Sequence, residues 1–243
     1  MASAAIGAPR GTAEFFTAFE QLRQEVEPTA VQEEVYAYDR FARKAVLDVG
    51  CGNGYTLSHY ARCGAQVFGL DLTSSALDLS RKRFALDGLD CHLVQGDAEW
   101  LPFPDRSFDL VVSAGVLHHT PHIETAIAEI HRVLKPSGTI ILMLYHRNSL
   151  DYRLLYPLCS LFHPSFRGMW PAEIARCVDG ADNPIGRTYT RREVRRLLAS
   201  FHDVRLLVRS LSIRRLNSLP GGNFVLPLLT RRLGWFLYAR AVK

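Results

Sequence analysis

The sequence predicts a doubly wound α/β fold, in which a mostly parallel sheet carries helices on both faces. Three observations lead there. Between residues 45 and 145, short apolar runs alternate with stretches of helical period, as strands joined by crossover helices do. The apolar runs are continuous, as strands buried on both faces require. The helical stretches also stop where a helix end wants them to, at Gly64, at Gly88, and at Pro136 with Gly138.

Residues 45–50 read as the first strand and 55–63 as the first crossover helix. The second strand is expected at 66–71. The helix at 75–86 follows, with Ser74 as N-cap and Gly88 as its stop. Strands are expected at 91–95 and 108–113, a helix at 123–134 and a fifth strand at 139–145. After Tyr145 the rhythm breaks. Residues 146–187 hold Pro157, Pro164, Pro171 and Pro184 among many aromatics, which reads as an inserted lid. Order returns with a capping box from Thr190 to Glu193, and Val194, Leu197, Leu198 and Phe201 form one helix face behind it. Residues 204–212 and 236–242 are strand candidates with a Gly221-Gly222 turn between them, so an antiparallel pair at the sheet edge is expected. Ahead of the core, Phe15, Phe16, Phe19 and Leu22 fall at helical spacing and Pro28 closes the run. Core packing is the first reading of those aromatics, and a helix covering a substrate is the sharper alternative. The division is then a single domain over 1–243: an N-terminal helical cap to 40, a ligand-binding core over 41–145, a lid over 146–187, and a helix with edge strands over 188–243.

The composition supports this. The chain has 243 residues, of which 48% are hydrophobic and 22% charged, enough apolar material for one large core. Cys51, Cys63, Cys91, Cys159 and Cys177 are scattered without a CxxC pair, which argues for free thiols in a reducing compartment and against a disulfide frame or a zinc site. With no basic start leading an apolar run and no stretch of about 20 apolar residues, a cytoplasmic protein without a transmembrane segment is expected. Charge is uneven. Residues 187–243 carry 13 Lys/Arg against 2 Asp/Glu, while the first 186 carry 16 against 22. A basic end fits an anionic partner such as nucleic acid or phospholipid, or simply a solvated face.

The stretch VLDVGCGNGY, residues 46–55, carries the chemistry. Gly50, Gly52 and Gly54 follow the first strand, where ligands bind in doubly wound sheets. Their spacing is GxGxG, whereas the dinucleotide fingerprint GxGxxG sets its third glycine one residue later. Asp48 sits inside the strand ahead of the loop. A carboxylate there would repel a pyrophosphate, but it can anchor a cation or hold water beneath a cationic ligand. Asp71 ends the second strand, 21 positions after Gly50, where an acid can accept ribose hydroxyls.

VLDVGCGNG, Gly69-Leu-Asp71, Gly96-Asp97-Ala98-Glu99, DAEWLPFPDRSFDLVVSAGVLHHT and EIHRVLKPSGTIILMLY together resemble the class I S-adenosylmethionine (SAM)-dependent methyltransferases. Within them, the chain looks like the branch that contains the ubiquinone/menaquinone methyltransferases and many natural-product enzymes. The likeness is strong over about residues 40–148 and weak over 12–39 and 187–243. It implies a Rossmann-like sheet of seven strands in three αβα layers and SAM as cofactor. The implied cofactor site comprises Asp48, Gly50, Cys51, Gly52, Gly54, Asp71, Leu72, Asp97, Ala98, Glu99 and Ala114, with Leu72 and Trp100 or Leu101 about the adenine. Cys51 reads as a small residue under the ligand, not a nucleophile. The reaction implied is in-line methyl transfer, chiefly by proximity and alignment.

A general base is optional in such chemistry. The candidates are His118 and His119 after the fourth strand, then Tyr145 and His146 after the fifth. Tyr152, Tyr156, Phe162, Phe166, Met169 and Trp170 make the lid apolar, so a small hydrophobic or aromatic acceptor is expected. After the fourth strand the chain reads Ser113-Ala-Gly-Val-Leu-His118-His119, not the (N/D)PP(Y/F) of base-amine methyltransferases, which argues against nucleic acid. An RNA or lipid-associated acceptor on the basic end, and a non-catalytic SAM-binding partner protein, remain the alternatives. Peripheral membrane contact stays open, as does the choice between monomer and homodimer. His118, His119 and His122 cluster locally without ligand spacing, so no metal site is expected.

Overall fold

The computed structural model describes residues 6–179, 185–210 and 229–243. Helices α1 (Ala13–Val26) and α2 (Thr29–Tyr36) precede the sheet. The core then runs β1 (Ala45–Val49), α3 (Tyr55–Arg62), β2 (Gln66–Asp71), α4 (Ser74–Asp87), β3 (His92–Gln95), β4 (Phe108–Ala114), α5 (Ile123–Val133) and β5 (Leu134–His146). After it come α6 (Tyr156–Phe162), α7 (Pro171–Asp179), β6 (Thr188–Tyr189), α8 (Arg191–Leu197), β7 (His202–Arg209) and β8 (Phe236–Val242).

The strand order is β3-β2-β1-β4-β5-β8-β7, with β6 pairing off this path beside β5. Strands β1 to β5 pair in parallel, and β8 lies antiparallel between β5 and β7. The antiparallel pair is therefore as expected, though the Gly221-Gly222 turn and residues 211 and 212 lie outside the described residues. From β1 the chain winds outward through β2 and β3, then returns to place β4 on the other side. The order reverses between β1 and β4, and the loops at their carboxyl ends open a crevice there.

Alternate side chains of the central strands feed two cores. Leu47, Val49, Val111, Ile140 and Leu142 face α5 and α8 in one. Val46, Val67, Leu110, Val112 and Ile141 face α2, α3 and α4 in the other. Three layers result because each strand offers apolar groups on both faces and each helix has one face to bury.

Three expectations shift locally. Helix α4 starts at Ser74 with Thr73 as N-cap and no side-chain cap bond, because the Thr73 hydroxyl is turned back to Asp71. Helix α5 ends at Val133, not 134: Leu134 is already extended and pairs with Phe108. The segment where the strand–helix rhythm was expected to break is largely helical. It holds a π turn over Asp151–Leu155 that runs into α6, a short turn over Pro164–Phe166, and α7. Prolines are accommodated because Pro164 and Pro171 open their turns, where no N–H is needed, and Pro157 follows directly on the π turn, where the regular α-helical bond pattern is already interrupted. The Thr190–Glu193 capping box is formed.

Candidate functional site

The loop after β1 is shaped by its glycines. Gly50, Gly52 and Gly54 have φ of 79°, 56° and 75°, in the left-handed region that favours glycine. A Cβ on Gly50 would lie 2.4 Å from Val116, in the loop after β4. A Cβ on Gly52 would meet nothing within 4 Å, so this backbone is bare toward the crevice. The loop is strapped down by Gly50 and Cys51 N–H donating to the Leu70 carbonyl at 2.7 and 3.0 Å, and by Ser80 Oγ donating to the Gly52 carbonyl at 2.9 Å.

A cleft of about 340 Å³ opens over this loop, lined by Asp48, Gly50, Cys51, Gly52, Thr73 and Ala114 on the sheet side. Helix α1 supplies the opposite wall with Phe15, Phe19 and Arg23, and Arg10 precedes it. Helix α1 is held there by Arg83 of α4. Its Nη1 donates to Glu20 at 2.7 Å, its Nε donates to the Asn53 carbonyl at 2.9 Å, and its guanidinium lies over Phe16 at 4.4 Å. The core reading of the N-terminal aromatics holds for two of them, and two also reach the cleft. Phe15 and Phe16 are buried with Leu79, and Phe15 and Phe19 also wall the cleft.

The acids differ in state. Asp48 is 2% exposed, and its Oδ1 has no hydrogen-bond partner among the described residues. Burial pushes its carboxyl up to about 7, helped by the nearby Asp71 charge and opposed by Arg23. Asp71 is already engaged: Oδ2 accepts from Gly52 N–H at 3.0 Å, and Oδ1 accepts from the Thr73 N–H and hydroxyl, each at 3.0 Å. Oδ1 is thereby filled, and Oδ2 keeps one acceptor site. Burial, with Asp48 and Asp71 behind it, pushes the Cys51 thiol well up, which keeps it protonated and non-nucleophilic.

After β3, Asp97 is exposed, with Oδ1 accepting from Glu99 N–H at 2.9 Å. Glu99 Oε1 accepts from His122 N–H at 2.7 Å, tying this turn to the start of α5. Leu72 and Trp100 are 66% and 81% exposed. Leu101 is buried in the core with Ala98, and this corrects its place beside the adenine: its side chain points into the α5 packing.

The four candidate bases stand apart from the residues lining this cleft. His118 is fully buried, with ring centroids 4.0 Å from His119 and 4.1 Å from Tyr145. Tyr145 stacks in turn on Trp235 at 4.6 Å. His146 is 2% exposed, with Nδ1 donating to the Gly234 carbonyl at 3.1 Å, and burial lowers its pKa despite that bond. His119 is half-buried, and its Nδ1 sits 2.5 Å from the Ile185 carbonyl. A carbonyl only accepts, so Nδ1 carries the proton and the neutral ring leaves Nε2 as the basic nitrogen. The strand-leading segment 185–187 crosses this turn, with Arg187 N–H on the His118 carbonyl at 3.1 Å.

The lid aromatics split. Tyr152, Tyr156, Phe166 and Met169 pack on the core, while Phe162 and Trp170 face solvent. Sequence reasoning missed Arg23 and its partner Glu27, which is 1% exposed. The Arg23 guanidinium pairs with the Glu27 carboxylate at 2.7 Å. The same carboxylate accepts from the hydroxyls of Tyr36, at 3.1 Å, and Tyr238. Burial opposes the Arg23 charge, but Glu27 holds it well above the ordinary arginine range. The spacing of Arg23 and Glu27, four apart in a helix, was the available signal, but it is the signal of any surface ion pair.

Residues 47–142 match the family model described as a methyltransferase domain. Over 97 residues the chain is 45% identical to a phthiotriol/phenolphthiotriol dimycocerosates methyltransferase of Mycobacterium tuberculosis, 39% of this chain and 35% of that protein. It is 43% identical over 97 residues to a fatty-acid O-methyltransferase of Mycolicibacterium smegmatis, with the same coverage. The chain thus spans about a third of the length of the curated relatives it matches. Among solved structures, a SAM-dependent methyltransferase from Archaeoglobus fulgidus superposes with a TM-score of 0.62 at 16% identity, over 93% of this chain and 99% of the other. The complex between the Haloferax volcanii Trm112 methyltransferase activator and the putative methyltransferase gives 0.62 at 19% identity, with 97% of each chain covered. At these identities the structures speak to the fold alone. Residues 47–142 are thus similar to a methyltransferase domain, and the fold is the one seen in solved SAM-dependent methyltransferases.

Proposed function

We propose that the cleft over the glycine loop binds SAM and that the protein transfers a methyl group in line to a small hydrophobic acceptor of lipid type. The observation that carries the reading is the bare Gly52 backbone beside a buried Asp48 oxygen without a partner. A flat adenosyl ligand with a cationic end suits both. When bound, the cofactor supplies an electrophilic methyl group on a sulfonium. Asp48 and Arg23, of opposite charge and both lining the cleft, would hold the amino and carboxylate ends of its amino-acid part. Asp71 would take a ribose hydroxyl on the remaining site of Oδ2, and the turn from Gly96 to Trp100 would take the base.

The chain's own contribution is alignment and exclusion of water by α1, since proximity is the dominant effect in such a transfer. For a hydroxyl or carboxyl acceptor a general base is optional; among the four candidates His119 is the half-buried one, and none of the four lines the cleft, so the reading rests on alignment. Relatives that act on dimycocerosates and fatty acids support a lipid-type acceptor. The resemblance to quinone methyltransferases names another acceptor with the same apolar character.

Isothermal titration tests the cofactor. SAM and its demethylated product should bind and NAD should not, and Asp71→Ala should lose about 2–3 kcal/mol of that affinity, roughly 30–150-fold. Tight NAD binding without SAM binding would falsify the reading. Transfer of a labelled methyl group to long-chain fatty acids or alkylphenols reads the acceptor, and transfer only to small polar acceptors counts against it.

A further inference from the structure

Exposed apolar side chains are concentrated in one place. Of nine large apolar side chains exposed among the described residues, five are Leu154, Leu158, Leu161, Phe162 and Trp170. Phe162 and Trp170 are 78% and 76% exposed. The first four recur at i, i+4, i+7 and i+8 along the continuous helical run from Asp151 to Phe162, so they share one face. The opposite face is already used: Tyr152, Leu155, Tyr156 and Cys159 pack on the core. A helix apolar all round calls for an apolar neighbour on each side, and a patch of this kind marks an interaction site.

Charge says what kind of neighbour. From Leu150 to Trp170 the only acid is Asp151, and it is 2% exposed. Arg153 and Arg167 are both exposed within the same stretch. The face is thus apolar with a cationic rim and an aromatic residue at each of two points; the exposed carboxylate beside it, Glu173, is drawn back onto the Trp170 N–H at 2.6 Å. That is the composition of a helix lying in the headgroup region of an anionic bilayer, with arginine stems reaching up to the phosphates. Position agrees. The helix follows β5, which is parallel to β1 and β4, so the face and the cleft lie toward the same, carboxyl, end of the sheet.

We propose that the Leu154–Leu158–Leu161–Phe162 face, with Trp170, rests on an anionic lipid surface and brings the cleft to the layer that holds an apolar acceptor. The choice of lipid over another apolar surface rests in part on the acceptor class proposed above. Co-sedimentation with vesicles tests the docking without reading activity. The full chain should pellet with vesicles of equimolar phosphatidylcholine and phosphatidylglycerol at least about ten times more strongly than with phosphatidylcholine alone, and Trp170 emission should shift to the blue. The double substitution Leu161→Ser with Phe162→Ser should lower that partition about ten-fold, since both side chains are solvent-facing and their loss leaves the core intact. Titration of the same variant with SAM should match wild type. Cofactor binding in both proteins with no vesicle binding in either overturns the docking alone. Vesicle binding without cofactor binding in wild type overturns the function alone. Vesicle binding unchanged by the double substitution overturns the assigned face. A wild-type dimer that this substitution dissolves gives the face to a second copy and ends the lipid proposal.

Discussion

A carboxylate 2% exposed, with one oxygen outside every hydrogen bond among the described residues, is costly to fold around. For Asp48, burial raises the pKa from 3.8 to about 7. A raised carboxylate holds its proton more tightly folded than unfolded. Its contribution to stability is therefore full below about pH 4 and is lost as pH climbs to 7. The loss is at most about 4 kcal/mol at pH 8. Asp48→Asn should then melt above wild type at pH 8, with the gap closing toward pH 5. The same variant should bind SAM more weakly at pH 8, and wild-type affinity should rise from pH 6 to 8 while that of the variant stays flat. Thermal melts and cofactor titrations across that range check both halves. A wild-type melting profile flat between pH 5 and 8 would remove the argument. The identity of Asp48 was legible in the sequence, because an acid within an apolar strand before a glycine loop invites a functional reading. Its protonation was not, because that depends first on burial under the packed loops and then on the opposing charges of Asp71 and Arg23, which arrive from β2 and α1.

Helix α1 shows what an element can and cannot reveal on its own. Phe15, Phe16 and Phe19 at helical spacing announced a buried face, but not whether it met a core or a ligand. The answer came from Arg83, a residue of α4 that is 1% exposed and bridges Glu20 to the glycine loop through Asn53. Arg83→Met should keep much of the packing on Phe16 while losing both bonds, at a cost of about 1–3 kcal/mol. Because the bonds hold a cleft wall, hydrogen exchange should rise over residues 13–26 first, and SAM affinity should fall with it. Uniformly faster exchange across the sheet would instead make Arg83 a general core residue. The helices after β5 were hidden at this scale for a simple reason. Four prolines in 146–187 look like breakers, yet Pro171 opens its helix, where no N–H is needed, and Pro157 follows directly on a π turn.

At the scale of the molecule, one buried carboxylate joins the N-terminal helices to the far half of the sheet. Glu27 pairs with Arg23 of α1 and accepts from Tyr36 of α2 and Tyr238 of β8, while its carbonyl accepts from Gln32 at 2.7 Å. Gln32 Oε1 also accepts from the Tyr55 hydroxyl at 3.0 Å, at the edge of the cleft. Glu27→Ala would leave the Arg23 guanidinium buried without its counter-charge, which costs about 3–5 kcal/mol. A urea midpoint lowered to match, and partly restored in Arg23→Met with Glu27→Ala, would show that the penalty lies in the stranded charge. A loss unchanged in the double variant would place it in the tyrosine bonds.

The sequence by itself determined the class of the fold, the parallel core from residue 45 to 145, the antiparallel pair at 204–212 and 236–242, and the glycine loop with Asp48 and Asp71. Each of these rests on local information: hydrophobic period, helix stops, left-handed glycines, and an acid at a strand end. Only the tertiary structure decided that Leu101 belongs to the core, that His118 and His146 are buried, that α1 walls the cleft and that α6 bears an unpartnered apolar face. Those outcomes depend on which side of a sheet or helix meets which distant partner. Packing settles that between residues scores of positions apart, and no local pattern carries it.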